Sequence, residues 1–281
     1  MPEATKNKVK FGLKNAHYAL LTINDDGSVT FGTPVPIPGS VSLTMDAQGE
    51  TEPFYADNIA YYVAAANDGY SGTFEVAIIP DSFRVDVLHE NLDEGSQVLV
   101  ENVNNQTSAF ALMFEFQGDQ KAIRHVLYNC TCGRPSVSSQ TTTNTKTPVT
   151  ETMNLTSTAL PNGNVKAKTT ANTSQAAYNN WYNAVWQPLG KLDVVSAAGS
   201  SAGQTKLTVT PAKAEGDSYK TKTGATVTLP AYGETVGSDW TTWDGEEEIT
   251  ATTGQQIGVV EVNGQGNAMA GGVATVTANG G

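Results

Sequence analysis

Two short apolar runs separated by turn-forming residues constrain the fold of this chain most strongly. Residues 59–66 and 73–79 are rich in aliphatic and aromatic side chains, and Asn67, Asp68 and Gly69 lie between them. Asn, Asp and Gly tolerate the positive φ angles of a tight turn, so the pattern predicts an antiparallel β-hairpin. The second strand should end at a following proline, which lacks the N–H that a sheet requires.

A short helix is predicted directly after this hairpin. Asp81 suits the N-cap position, because its carboxylate can accept hydrogen bonds from the first free backbone N–H groups. Phe83, Val87 and Leu88 have the spacing that places side chains on one helical face. The predicted order is therefore a hairpin followed by a helix.

Several short motifs around this hairpin occur in a fixed order. They are Ile37-Pro38-Gly39-Ser40-Val41, Tyr55-Ala56-Asp57-Asn58, Asn67-Asp68-Gly69-Tyr70-Ser71-Gly72 and Ile79-Pro80-Asp81. In residue identity and spacing, these motifs resemble the major tail proteins of long-tailed, non-contractile bacteriophages. The resemblance extends over residues 8–188.

The resemblance implies a mainly β fold: a tail-tube β-sandwich or barrel with a flanking short helix and a long projecting hairpin. It implies a structural virion protein that polymerises as stacked hexameric rings around a channel for double-stranded DNA, which passes without specific binding. The implied partners are further copies of the chain, the tape-measure protein, the tail terminator and the distal tail proteins. Assembly in the host cytoplasm and location in the virion tail follow, with no enzymatic activity, cofactor or metal.

The chain is acidic in both halves. Its formal charge is −12, of which residues 1–189 contribute −7 and residues 190–281 contribute −5. A basic footprint for binding phosphate groups is missing from the sequence. Two explanations stay open: a conduit that repels DNA, and an ordinary acidic protein that stays dispersed by repulsion.

The polar stretch before Tyr55 supplies candidates for acids that face such a channel. They are Asp46, Glu50 and Glu52. Their orientation depends on the register of the strand, because a shift of one residue turns every side chain to the opposite face.

Residues 1–15 are polar and contain four lysines against one acid. We expect them to form an arm, with Lys6, Lys8 and Lys10 as contacts to neighbouring subunits. The N-terminus lacks the apolar core of a secretion signal, and no stretch approaches the roughly 20 apolar residues of a membrane span. The sequence therefore predicts a protein that is made and kept in a cytoplasm without a membrane partner.

The clearest strand pattern falls at residues 109–117. Phe110, Leu112, Phe114 and Phe116 alternate with other residues, so one face of the strand is strongly aromatic and suited to a core. A turn and a return strand over residues 121–129 complete a second predicted hairpin.

Residues 136–173 are rich in Ser, Thr and Asn, yet part of the segment alternates as a strand does. We interpret it as a long projecting hairpin that requires a neighbouring subunit, because an isolated two-stranded hairpin is marginal in water. Deletion of residues 138–172 should then leave a folded monomer that cannot form tubes. The expected inter-subunit contacts in this segment are Thr143, Val149, Glu151, Met153 and Leu155.

A helix over residues 174–187 is predicted to complete a tail-tube domain of residues 1–189. Ser174 suits its N-cap, and an aromatic stripe that includes Tyr178 and Trp181 fits core or interface packing. Residues 190–281 form a second predicted domain, a small Ig-like β-sandwich that resembles the decoration domains of tail and capsid proteins. Its predicted strands are 206–210, 225–229, 248–251, 257–262 and 273–277.

Few residues suggest a disulfide, a metal site or a catalytic site. Cys130 and Cys132 are separated by one residue in a predicted strand, a spacing that disfavours a disulfide, and two thiolates fall short of a zinc site. We interpret them as reduced cysteines. The acidic run at residues 244–248 lacks the spacing of a calcium loop and is more simply a solvated turn.

Trp240 and Trp243 leave two interpretations open. One is the core of a hairpin, and the other is an aromatic platform for a glycan. The platform would make this a carbohydrate-binding or adhesive β-sandwich protein, the alternative to a tail-tube subunit. A hydrolase has no residue constellation in its favour, because the three histidines are scattered and no nucleophile is activated by a neighbour.

Overall fold

The computed structural model describes residues 6–25, 27–141 and 147–280, and the side chains of Glu52 and Ala65 lie outside what it describes. The chain divides into two compact units, Met1–Val185 (unit 1) and Trp186–Gly281 (unit 2). Both are mainly β, as the sequence predicts. Within the described ranges, no helix is long and apolar enough to cross a membrane.

Unit 1 contains thirteen strands and two short helices among its described residues. In chain order they are β1 (Lys10–Ile23), β2 (Val29–Phe31), β3 (Val35–Pro36), β4 (Ser40–Gln48), β5 (Thr51–Ala56), β6 (Ile59–Ala65), β7 (Gly69–Val76), α1 (Asp81–Asp86), β8 (Asn91–Asp93), β9 (Val98–Val100), β10 (Phe110–Gly118), β11 (Ile123–Cys132), β12 (Glu151–Thr158), β13 (Lys166–Lys168) and α2 (Gln175–Asn179).

One large sheet organises unit 1. Its strands run in the order β2-β1-β10-β11-β12-β7-β4, with β13 paired to β11 and β3 paired to β1. The central strand β10 is buried on both faces: Phe110 and Leu112 lie in the main core on one side, and Ala111 and Met113 are equally buried on the other. The predicted hairpin of residues 109–129 is confirmed as the antiparallel pair β10–β11.

The first predicted hairpin is wrong in its pairing. Strand β6 pairs with β5, and β7 pairs with β4 and β12, so residues 59–66 and 73–79 are not partners. Strands β4 and β5 together run outward and β6 and β7 run back. We call residues 40–76 the ribbon and residues 51–65 its tip.

Helix α1 follows the ribbon, as predicted, and packs on the core. Phe83, Val87 and Leu88 are all buried. Asp81 is the first helical residue and not the N-cap, which is Pro80, a residue without a side chain that can cap. Proline at this position fits because the first helical N–H groups have no partner within the helix.

The polar segment after β11 belongs largely to the main sheet, and its interpretation as a projecting hairpin is wrong. Strand β12 lies between β11 and β7, and β13 pairs with the first half of β11. Both sides of β12 therefore find hydrogen-bond partners within the same chain. The alternating pattern of β12 buries one face in the core of unit 1 and leaves the other face exposed.

The predicted helix of residues 174–187 is much shorter in the structure. Helix α2 ends at Asn179, and only turns follow. Ser174 is the N-cap, as predicted, because its Oγ accepts a hydrogen bond from the Ala177 N–H at 3.2 Å. Trp181 and Val185 are buried beyond the end of the helix.

Unit 2 contains eight strands among its described residues. They are β14 (Gly190–Lys191), β15 (Asp193–Ala198), β16 (Gln204–Thr210), β17 (Ser218–Gly224), β18 (Thr241–Trp243), β19 (Ile249–Thr250), β20 (Gln256–Val262) and β21 (Ala268–Thr275). A five-stranded sheet, β14-β21-β20-β17-β18, packs with a three-stranded sheet, β15-β16-β19. Strand β20 is buried on both faces, and separate apolar clusters lie on its two sides. Residues 225–229 are not a strand, contrary to prediction; their Val227 packs against the outer face of β20.

Candidate functional site

The ribbon tip carries a cluster of large apolar side chains that its own chain leaves in solvent. Each exposes between 51% and 70% of its surface. An exposed apolar patch of this density marks a contact surface in a soluble protein, because burying it against a partner removes apolar area from water. The side chains are those of Phe54, Tyr55, Ile59, Tyr61, Tyr62 and Val63.

The turn of the tip is set by two residues with left-handed backbone conformation. Asp57 has a φ of 51° and Asn58 a φ of 62°, the geometry that a two-residue hairpin turn favours. Short polar side chains tolerate this conformation better than branched ones. Phe54 and Tyr62 lie directly opposite each other across the hairpin.

The tip continues directly from the base of the ribbon. Ala66 donates its backbone N–H to the Glu50 carbonyl at 3.0 Å, and Asp68 donates to Gln48 at 3.0 Å. Gly49 has a φ of 129°, and a Cβ there would lie 2.2 Å from the Ala66 carbonyl oxygen, so only glycine fits this junction. With a rise of about 3.3 Å per residue, the six residues of β5 span roughly 20 Å in a two-stranded sheet separate from the main one.

The acids predicted to face a channel all belong to the ribbon. Asp46 lies on β4 and Glu50 at the junction with the tip, and both are exposed. The side chain of Glu52 lies outside the described residues. Their orientation toward a channel stays a prediction.

The N-terminal lysines lie along the edge of the main sheet, so the predicted arm is wrong from Asn7 onward, and residues 1–5 lie outside the described residues. Asn7 donates its side-chain N–H to the Lys121 carbonyl at 2.6 Å, and the Lys8 N–H donates to Asp119 at 2.8 Å. Strand β1 begins at Lys10, so residues 10–15 are paired with β10. These hydrogen bonds hold residues 7–15 to the main sheet of the same chain.

The lysines themselves stay exposed. Lys6 and Lys8 have exposed side chains, and the ammonium of Lys10 lies 4.8 Å from the centroid of the Phe116 ring. Their role as contacts to neighbouring subunits stays a prediction.

The predicted contacts on β12 are corrected by their burial. Met153 and Leu155 expose at most 1% of their surface and belong to the core of unit 1. Glu151 is bound within the same unit: it accepts from the Ile79 N–H at 2.6 Å and pairs with Arg84 at 3.0 Å. Val149 is partly exposed, and Thr143 lies outside the described residues.

A buried ion pair attaches the segment after α2 to the main sheet. Glu115 is almost fully buried and meets the Arg124 guanidinium at 3.1 Å. Arg124 lies over the Tyr178 ring, 3.8 Å from its centroid, and Tyr182 donates its hydroxyl to Glu115 at 3.4 Å. Burial, with the nearby carboxylate second, raises the pKa of the Tyr182 hydroxyl well above its ordinary value. The network explains the burial of this segment without a ligand.

His125 lies in an apolar and cationic setting. Its ring stacks on Phe114 at 5.2 Å. Burial, followed by the positive charges of Lys168, Lys10 and Lys166, lowers the pKa of His125 to about 4. The neutral imidazole is therefore the form that the folded state holds.

This shift predicts a loss of stability in weak acid. The unfolded chain takes up the proton at pH 6.5, so His125 contributes fully above pH 6.5 and its contribution falls as the pH approaches 4, by up to about 3 kcal/mol. We expect the free energy of unfolding in urea to fall over this range, and the fall to be smaller in a His125→Phe variant. An equal fall in both proteins would contradict this assignment.

Residues considered for chemistry lie in cores. Trp240 and Trp243 expose 8% and 7% of their surface and belong to two different clusters, so the glycan platform is wrong. Cys130 and Cys132 are free and buried, as predicted, and burial raises their thiol pKa values to about 12 and about 11. In the part of the chain that the structure describes, no group of three or more His, Cys, Asp or Glu residues is placed to hold a metal ion.

Comparison with known proteins gives a family match and a similar solved structure. Residues 197–279 match the family described as the S-layer protein SbsC C-terminal domain, which covers less than half of the chain. Among solved structures, the cryo-EM structure of the anti-feeding prophage cap, the tube-terminating cap, is similar at 10% identity and a TM-score of 0.32. That similarity covers 60% of this chain and 98% of the cap chain. No match was found among curated proteins.

Proposed function

We propose that this chain is a structural virion subunit that polymerises as stacked hexameric rings into a phage tail tube, the conduit for DNA ejection into the host. The exposed apolar tip carries this proposal. Six large apolar side chains on a hairpin in water do not stabilise an isolated chain. An assembling subunit, in contrast, buries them against the next copy.

The residues that carry the family resemblance support the same proposal. Tyr55-Ala56-Asp57-Asn58 forms the turn of the tip, and Asn67–Gly72 forms the start of the returning strand β7. Ile37–Val41 leads into β4 at the ribbon base. The motifs that resemble major tail proteins therefore describe one projecting element and its attachment to the main sheet.

The proposal assigns roles to partners and charges. The tape-measure protein, tail terminator and distal tail proteins meet the ends and interior of the tube, and Lys6, Lys8 and Lys10 contribute contacts between subunits. Asp46, Glu50 and Glu52 are the proposed channel acids, whose negative charge repels DNA and prevents it from adhering. The chain acts without catalysis or a cofactor.

Sedimentation velocity tests whether the full chain assembles. The proposal predicts species far larger than the 29.6 kDa monomer, and their fraction grows with protein concentration. A single monomeric species up to high concentration would contradict it.

The similarity of residues 197–279 to an S-layer domain favours a second proposal for unit 2. We propose that this unit is a decoration domain with an adhesive role at a cell surface. The full chain should then co-sediment with bacterial cell-wall fragments, and a chain truncated after residue 189 should not. Equal sedimentation of the two proteins would exclude an adhesive role for unit 2.

A further inference from the structure

The ribbon is uniformly acidic. Residues 40–76 contain six acids and no Lys or Arg, and residues 15–83 as a whole contain neither Lys nor Arg. Asp46, Glu50, Asp57 and Asp68 are exposed along both sides of it. The ribbon therefore presents negative charge together with the apolar side chains of its tip.

The basic residues of unit 1 concentrate elsewhere on the same sheet. We call five of them the cationic flank: Lys8, Lys10, Lys121, Lys166 and Lys168. Lys168 lies opposite His125 in the pairing of β13 with β11, and Lys10 lies opposite the end of β10. Among the described residues, no carboxylate lies within ion-pair distance of these five ammonium groups.

Two grooves open between these lysines. One, of about 360 Å³, has Lys10 and Lys166 at its sides and Phe114, Phe116 and Met45 among its apolar lining. The other, of about 510 Å³, is lined by Lys121 and Lys168. The volume of the first groove lies in the range of pockets that bind a small organic molecule, so the groove can accept an aromatic side chain.

The lysines at the first groove are already oriented by aromatic rings. Lys166 lies 4.2 Å from the centroid of the Tyr70 ring and donates a hydrogen bond to its hydroxyl. Lys10 lies over Phe116. Cation–π contacts hold both ammonium groups at the rim of an apolar lining, where they can meet a carboxylate without first breaking an ion pair within the chain.

We propose that the ribbon of one copy of this chain docks in the cationic flank of the next copy, with tip aromatic side chains in the groove between Lys10 and Lys166. This inference rests on the proposed assembly and names its contact. The two surfaces match in both properties, because an acidic and apolar element meets a basic and apolar groove.

The contact is of the head-to-tail type. The inserted part is the tip, residues 51–65, whereas the base of the ribbon, with Met45 and Tyr70, lines the groove beside the lysines. Donor and acceptor are therefore different surfaces of the same subunit, and each copy can both insert its tip and receive one. Such heterologous contacts close into rings or continue as helical tubes. Salt should weaken the contact, since exposed charges are screened within about 10 Å at 0.1 M ionic strength.

Charge reversal on the full chain tests the pairing. The flank variant carries Lys10→Glu and Lys166→Glu, and the ribbon variant carries Asp57→Lys and Asp68→Lys, two exposed acids that are not among the proposed channel acids. Each variant alone juxtaposes like charges, so the concentration at which half of the protein assembles should rise roughly tenfold or more. An equal mixture of the two restores opposite charges at every contact and should assemble near the wild-type concentration.

The matched control is Asp25→Lys with Glu94→Lys, which changes the net charge as the ribbon variant does but lies outside the ribbon. It should assemble as the wild type does, and circular dichroism checks that every variant is folded. If both reversed variants assemble like the wild type, or if their mixture fails to recover, the docking proposal is wrong while tube assembly stands. If the wild type itself stays monomeric, both proposals fall.

Discussion

Deletion of residues 138–172 is expected to unfold unit 1. The deletion removes β12 from between β11 and β7 and so breaks two ladders of the main sheet. It also removes Met153 and Leu155 from the core, and loss of one such side chain to alanine already costs about 2–5 kcal/mol. Since a domain is stable by only about 5–15 kcal/mol, the remaining chain cannot stay folded.

Near-ultraviolet circular dichroism and urea unfolding of the variant measure this effect. A graded version uses single substitutions on β12: Met153→Ala should cost about 2–5 kcal/mol, and Thr152→Ala, on the exposed face, should change stability by less than about 0.5 kcal/mol. A deletion variant that unfolds cooperatively at the wild-type urea concentration would show that β12 is dispensable.

Shortening of the tip, unlike the deletion of residues 138–172, is expected to leave the monomer folded and to prevent its assembly. Replacement of residues 53–63 by Asn-Gly leaves Glu52 and Ala64 paired across a two-residue turn that suits a hairpin. The main core contains none of the removed residues, so the unfolding of unit 1 should be unchanged. Assembly should be abolished, because the apolar contact surface is gone.

A gentler variant keeps the length of the tip. Tyr61→Ser with Tyr62→Ser removes two exposed aromatic rings and should also prevent assembly, as seen in sedimentation velocity. The control is Val195→Ser with Val273→Ser, two exposed apolar residues of unit 2, which should leave assembly intact. Assembly of the shortened-tip protein at the wild-type concentration would remove the tip from the contact surface.

The sequence predicts the centre of unit 1 well because strong alternation has few interpretations. The aromatic face of residues 110–116 could only be a strand against a core, and the structure places β10 there. What the pattern omits is the second buried face. Ala111 and Met113 are fully buried on that face, and local periodicity carries no information about what covers them.

The pairing error at the ribbon arises because glycine serves two purposes. The residue types of Asn67, Asp68 and Gly69 favour a hairpin turn, yet Gly69 is the first residue of the returning strand β7. Its φ is 93°, and a Cβ there would lie 2.0 Å from the Ser157 carbonyl oxygen. The residue permits close approach of β7 to β12, a requirement that only the long-range fold reveals. The true turn, Asp57-Asn58, contains no glycine.

The polar segment of residues 136–173 shows the limit of composition. Its alternation correctly indicates a strand, but its abundant threonine favours an exposed hairpin over a strand inside the main sheet. In the structure, Thr152, Asn154 and Thr156 cover the outer face of β12 while Met153 and Leu155 fill the core. One buried face is sufficient to place a strand at the centre of a sheet, whatever the other face contains.

The candidate contact surface was missed although its signal is local. Large apolar residues occupy both faces of the two strands beside the Asp57-Asn58 turn, so one face must lack a core unless a second layer covers it. The sequence cannot say whether that layer belongs to the same chain. The structure shows the tip outside both cores of its chain.

Negative-stain electron microscopy of the purified full-length chain at high concentration tests the central claim most directly. We expect hollow tubes of stacked rings with six subunits each, and dispersed monomers for the protein with the shortened tip. Fields of single, unassembled particles from the wild-type chain at every concentration would contradict it.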